Sequence, residues 1–283
     1  MPVSTSNHYP IRTMNRSHFA FHRHAPRAQG FSLVEMAMVL LVVGLLAALF
    51  LPATNTMMDN NRRKETRTKL EALESAITRF VMTNRRLPCP ADGSLAPGDA
   101  NQGLEQATCA VTVNGVLPWK TLAITQSDAV DAWGNLVTYR VWGAVNSLTQ
   151  AGGMDMSTLN PATAGAVSGW LVPRGFRVCN SAPTCLVNNE LSNKADGNGV
   201  AYFLISHGGN KIGGYTPNGV LVDTATGYGP GTRETHNGDR VISHDFYVDV
   251  DFNEDPADYF DDIVLRPTVM KVALDAGLGP RAP

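Results

Sequence analysis

Gly30-Phe31-Ser32-Leu33-Val34-Glu35 opens the stretch that decides the reading, and Phe31 to Leu51 continues it as FSLVEMAMVLLVVGLLAALFL. Only Ser32 and Glu35 are polar in that run. At a helical rise of about 1.5 Å per residue it extends roughly 30 Å, the thickness of a bilayer's hydrocarbon core. Residues 1–30 before it carry Arg12, Arg16, Arg23 and Arg27, four of the seven histidines, and no Asp or Glu. A basic flank of this kind stays on the cytoplasmic side, so everything after Leu51 is expected outside the cytoplasm. Arg62, Arg63 and Lys64 oppose this, but Asp59, Glu65, Glu71 and Glu74 dilute them. A cleaved secretory signal is the alternative; its small-residue cleavage site is only poorly matched by Ala47-Ala48-Leu49. A carboxylate inside a membrane segment costs several kcal/mol and marks a function and a partner. Glu35 is therefore the residue to explain, against the plainer reading of an acid snorkelling to the headgroups.

The whole chain of 283 residues suits one sizeable domain or two small ones. Its 23 Lys+Arg against 25 Asp+Glu argue against a nucleic-acid binder, which carries a basic surplus. Charged residues at 17% and hydrophobic ones at 43% exclude wholesale disorder.

After that basic leader, the Gly30–Glu35 segment opening an apolar helix resembles the processing site of type IV prepilins and type II secretion pseudopilins. The resemblance implies cleavage after Gly30 by a membrane prepilin peptidase that also methylates the new amine of Phe31. It implies that Glu35 serves assembly, and that Gly44 and Pro52 loosen the helix. The residues make this chemistry intelligible. Cleavage leaves a charged amine at the end of an apolar helix, and opposite charges about 4 Å apart attract strongly where water is scarce. Glu35 of one copy can neutralise the amine of a neighbour and set the stagger between them. Glycine at 30 suits a peptidase that needs close backbone approach. Met14 offers a second start, which shortens the leader.

Beyond Pro52, Leu70, Leu73, Ile77, Phe80 and Val81 recur at three- and four-residue steps among polar residues. This predicts an amphipathic helix to about Asn84, its stripe facing a domain core. From Arg85 the texture is β-like. Expected strands are Leu136–Trp142, Trp170–Val172, Gly175–Cys179, Val200–Ser206, Gly219–Asp223 and Asp245–Phe252. Ala144 to Gly169, rich in small residues, reads as an insertion. Asp131-Ala132-Trp133-Gly134-Asn135 and Leu87-Pro88-Cys89-Pro90-Ala91-Asp92-Gly93 also resemble segments of pseudopilin-like prepilins, without catalytic implication.

Cys89, Cys109, Cys179 and Cys185 form no C-x-x-C pair. In an exported domain an even count reads as two disulfides. Four cysteines allow three pairings, and sequence proximity favours Cys89–Cys109 with Cys179–Cys185.

No catalytic motif stands out. Ser206-His207 is not a nucleophile elbow, and neighbours in a strand point to opposite faces. The glycines of 208–214 lack the spacing of a phosphate-binding loop and read as turn formers. The strongest cluster is acidic: eight carboxylates and no Lys or Arg lie between Asp245 and Asp262. Asp249, Asp251, Asn253 and Asp255 have the spacing that opens a calcium loop, but Glu254 replaces the required glycine and Phe260 the closing Glu. The competing reading is an edge strand with Val248, Val250 and Phe252 facing the core and the acids facing water.

The expectation is an α+β, pilin-like protein. A long N-terminal helix, membrane-spanning then amphipathic, packs on an antiparallel β-sheet head. The divisions are a cleaved leader (1–30), a spanning and polymerising helix (31–52), its amphipathic continuation (53–86) and an extracytoplasmic head (87–283). The resemblance implies a subunit of a type IV pilus or type II secretion pseudopilus; the size of the head suggests a minor or specialised one, and without a catalytic motif no enzyme is expected. Its implied partners are the peptidase, other pilin or pseudopilin subunits and the inner membrane, with the head in the periplasm. No cofactor is expected unless calcium binds. The alternative is a membrane-anchored binding module that uses the same export route without forming filaments. A secreted hydrolase acting through His207 or His244 is a third class.

Overall fold

Ser32 starts the first helix. Its hydroxyl accepts the Glu35 N–H at 3.1 Å and its carbonyl accepts the Met36 N–H at 3.1 Å. Ser at the N-cap followed by Glu three residues on is the pattern of a capping box, and the acid also suits the positive end of the helix dipole. The helix so begun, α1, runs Leu33–Asn84. The computed structural model describes residues 30–109, 115–143, 147–182, 184–222, 233–238, 246–255 and 258–282, with 49–55 as backbone alone. The chain divides into two compact units at Pro52/Ala53.

In the first unit the apolar residues of α1 are exposed, Leu33 at 88% and Leu41 at 69%. Among the described residues no helix is long and apolar enough to cross a membrane. Residues 49–51, which end the expected span, and the Pro52 ring lie outside the described side chains.

In the second unit most of the predicted stripe is buried: Leu70, Leu73, Ile77 and Val81 are at most 2% exposed, and Phe80 is half-buried against the same core. Thr66 extends it, its hydroxyl accepting the Ala132 N–H at 3.2 Å. Burying a Leu, Ile or Val side chain contributes about 1.5–3 kcal/mol, so these four hold the helix to the head. Arg85 ends the helix at a left-handed φ of 54° while its N–H still reaches the Val81 carbonyl.

The stripe packs on a five-stranded antiparallel sheet. Its strands are β1 (Ala91–Asp92), β2 (Gly115–Val116), β3 (Thr138–Val141), β6 (Tyr202–Ser206) and β8 (Ile263–Leu265), in the order β1-β2-β3-β6-β8. Strand β6 pairs Leu204 with Tyr139 on one side and Leu265 on the other, and all five of its residues are buried. A second sheet has the order β5 (Glu190–Ser192), β4 (Arg177–Cys179), β7 (Phe246–Val248), and its β4–β7 pair is parallel. Aromatic rings join the sheets: Phe176 meets Trp142 edge-on at 5.3 Å and Tyr247 at 5.6 Å, and Phe203 lies 4.6 Å from Tyr247. Short helices α2 (Ala166–Leu171), α3 (Arg233–Gly238) and α4 (Val269–Asp275) complete the described elements. Thr268 caps α4, and Lys271 ties it to Glu74 of α1 at 2.6 Å.

The molecule is thus α+β with an antiparallel sheet and a few helices, and several expectations need correction. Trp170–Val172 is not a strand: Trp170 and Leu171 end α2, which Gly165 enters at a left-handed φ of 77°. Gly219–Asp223 forms no strand among its described residues, only a bridge between Leu221 and Tyr215. Asp245–Phe252 shortens to β7, all of it buried, while Phe252 is 46% exposed under the Arg63 guanidinium at 3.6 Å. The stretch read as an insertion supplies Leu148, Met154 and Met156, fully buried in the main core.

Candidate functional site

Gly30, Phe31 and Glu35 lie at the exposed start of α1. A Cβ added at Gly30 or at Gly44 would meet nothing within 4 Å. This chain's own packing therefore gives no reason for glycine at either position. Residues 1–29, including Met14, lie outside the described residues.

The cysteines form the two bridges that proximity favours. Cys89–Cys109 spans 5.0 Å between Cα atoms and Cys179–Cys185 spans 5.8 Å. The first is buttressed by Glu105, which accepts the Cys89 N–H at 3.0 Å and a two-pronged pair from Arg86 at 2.8 and 2.9 Å. Burial pushes the Glu105 carboxyl up, but these donors outweigh it and the net shift is downward.

The residues read as a calcium loop do not converge. Asp249 pairs with Arg266 at 2.5 Å, and Asn253 gives its amide N–H to the Asp258 carbonyl at 2.8 Å. Among the described residues, the one cluster of three or more metal-capable side chains is Glu234, Asp261 and Asp262. All three are buried, and one oxygen from each lies within 4.8 Å of the others.

Local structure explains how three acids come to be buried. The loop after β6 turns at Gly208, whose φ is 54°, and there a Cβ would collide with the Asp261 carboxylate. Gly209 and Asn210 then donate their N–H groups to Asp261 Oδ2 at 2.7 and 3.1 Å, and the Tyr259 hydroxyl donates to the same atom at 3.0 Å. The glycine-rich loop therefore cradles a carboxyl group, and that group is the chain's own. Gly213, at φ 86°, packs against Gly238 at the end of α3, which brings Glu234 in. Glu234 Oε1 accepts the Asp261 N–H at 2.6 Å and Oε2 accepts from the Asn210 amide. Asp262 takes His207 Nδ1 at 3.2 Å and the Asn237 amide at 2.9 Å. Burial, with Asp262 and Asp261 close by, pushes Glu234 up to about 9, and burial also pushes Asp262 up. Asp261 Oδ2 accepts those three hydrogen bonds, whereas Asp261 Oδ1 is buried and has no hydrogen-bond partner among the described residues.

No match was found to any protein-family model, curated protein or solved structure. Chemistry must therefore be judged on the residues. His207 Nε2 contacts Thr138 Oγ1 at 2.9 Å, so Thr138, His207 and Asp262 line up as hydroxyl, imidazole and carboxylate. That order is the one nucleophilic catalysis uses. Here Thr138 and His207 are each 1% exposed and Asp262 7%, so among the described residues all three are buried. Ser206 is equally buried and donates to Asp131 at 2.6 Å. His236 stacks on Phe246 at 4.2 Å, and His244 lies outside the described residues. These side chains build a polar core. Sequence reading missed Glu234, because it lies in a stretch with no acidic neighbours and joins the Asp pair only in space.

Proposed function

We propose that this chain is a prepilin-like subunit of the inner membrane, minor or specialised. Cleaved after Gly30 and methylated at Phe31, it joins a type IV pilus or a type II secretion pseudopilus and presents a pilin-like α+β head in the periplasm. The observation that carries the reading is the start of α1: an acid-free arginine leader, a glycine that packs against nothing, and an apolar helix bearing Glu35 in its first turn. The exposure of Phe31, Leu33, Leu40 and Leu41 supports it, because an apolar surface that its own chain does not cover belongs against lipid or another helix. The two disulfides fit an exported head.

Glu35 has two roles to separate. It stands three residues after the Ser32 cap, the capping-box position that Gln suits as well as Glu. The filament role needs its charge, to meet the new amine of a neighbouring subunit. Gly30→Val is expected to leave an unprocessed precursor on an immunoblot, and normal processing of that variant would defeat the proposal. Glu35→Gln is expected to be processed yet missing from sheared surface filaments. If it is incorporated like the native protein, the residue is a helix cap and the pairing role is wrong.

A further inference from the structure

Two cations in one corner of the head have no acid to meet. Arg174 follows α2; its guanidinium lies 3.9 Å over the Trp170 ring, and its Nη1 donates to the Trp170 carbonyl. Lys194 opens a short turn after β5, and its ammonium lies 4.4 Å over the Trp142 ring. The two cations come together at Gly199, where an added Cβ would fall 2.3 Å from the Arg174 carbonyl oxygen and 3.0 Å from Lys194 Cβ. Phe176, two residues beyond Arg174, meets Trp142 edge-on at 5.3 Å and ties the two sides of the corner. Among the described residues neither cation pairs with a carboxylate. Of the acids near in sequence, Glu190 is held by Arg177 and Asn193, and Asp196 is exposed. Burial lowers the Arg174 pKa, with no acid opposing it. Arg174 Nε is itself buried and has no hydrogen-bond partner among the described residues. A buried donor without an acceptor is costly, and this one asks for an acceptor.

We infer that this corner binds the carboxylate of an acidic sugar, a uronate unit of an extracellular polysaccharide. A carboxylate matches the Nε–Nη2 edge of a guanidinium with two parallel hydrogen bonds, and in doing so satisfies the orphaned Nε. Lys194 adds a second positive charge on a stem that can reach the same acid or the next one. The sugar ring is called for by Trp170. That indole is half-buried, and the backbone beside it is open: a Cβ added at Gly169 would meet nothing within 4 Å. An indole joins a large apolar face to a polar tip, which suits the C–H face of a pyranose. Nucleic acid is a poorer match, because a phosphate backbone takes a row of cations, and here two stand in a chain of net charge −2. An acidic peptide brings carboxylates but no ring for the indole.

The inference concerns the head alone and stands whether or not the chain forms filaments. It is tested by isothermal titration of the purified full chain in detergent with a galacturonate oligomer, and with a neutral dextran of the same length. Saturable binding of the first and none of the second is expected. Arg174→Gln and Lys194→Gln should each weaken binding at least about tenfold, the scale of one hydrogen bond to a charged group. Arg174→Lys should lose as much, because an ammonium keeps the charge but not the fork. Lys211→Gln, a cation of the glycine-rich loop, should leave binding unchanged. The melting temperature of each variant separates lost binding from lost fold, and Lys194→Gln, at a short surface turn, disturbs the core least. The inference is overturned if the galacturonate oligomer does not bind, if dextran binds as well, or if binding survives both Arg174→Gln and Lys194→Gln. Acetate that displaces the oligomer at equal concentration would overturn the role of the sugar ring. Polyglutamate or a single-stranded oligonucleotide that binds as tightly would overturn the choice of ligand.

Discussion

Helix α1 carries two apolar stretches with opposite fates. From Phe31 to Leu46 nearly every residue is apolar and exposed; from Leu70 to Val81 the large apolar residues keep to one stripe, with Leu70, Leu73, Ile77 and Val81 at 2% exposure or less and Phe80 half-buried against the same core. A stripe at three- and four-residue spacing is what one side of a domain can cover. On the proposed reading, a helix apolar all round lies against lipid or another helix. The contrast teaches that packing within the chain accounts for the second stretch and leaves the first uncovered.

The comparison breaks most readily where its two halves should respond oppositely. Ile77→Ala is expected to cost about 2–5 kcal/mol in denaturant unfolding, as buried Ile truncations do. Leu41→Ala, on the exposed stretch, should change the same measurement by less than about 0.5 kcal/mol. Equal costs would mean that the exposed stretch is part of the folded core. Next in size is the Cys89–Cys109 bridge. Replacing both residues by Ser removes a constraint over a sequence separation of 20, worth about 3 kcal/mol in the chain-entropy account, and should leave membrane association untouched. The Thr268→Ala change removes the cap of α4, whose hydroxyl accepts the Lys271 N–H, and is expected to cost about 1 kcal/mol.

The smallest effect is electrostatic. Glu105 faces Arg86, the Cys89 N–H and Tyr139, and its folded carboxyl titrates below its ordinary 4.5. A group lowered on folding contributes its stability above the unfolded value and loses it as pH falls through the folded one. Melting temperature should therefore fall on acidification below about pH 4.5 more steeply in the native chain than in Glu105→Gln. Identical slopes would remove Glu105 from the account.

How much of this was legible follows from length scales. The buried stripe of α1 is written in local spacing, and so are β3, β4 and β6, which fall inside the expected strands. β1 and β2, of two residues each, and β5 exist because neighbours offer hydrogen-bond partners, which no run of apolar residues announces. Trp170-Leu171-Val172 looked like a strand by composition, but Gly165 and the short path that follows coil it into α2. Cysteine pairing was readable because both bridges are sequence-local. The acidic site was half legible. The run from Asp245 to Asp262 drew attention, yet spacing pointed to Asp249 through Asp255, while the convergent acids are Asp261 and Asp262. A pair of acids directly ahead of Ile263-Val264-Leu265 and behind Tyr259-Phe260 was the available sign, because acids inside an apolar run are carried into the core with it. Nothing local predicts that Glu234 joins them.

The most direct test is the intact mass and N-terminal sequence of the native polypeptide taken from membranes. The account predicts a chain beginning at Phe31 with a methylated amine. A chain that still carries its arginines upstream of Gly30, or that begins beyond Leu51, contradicts it.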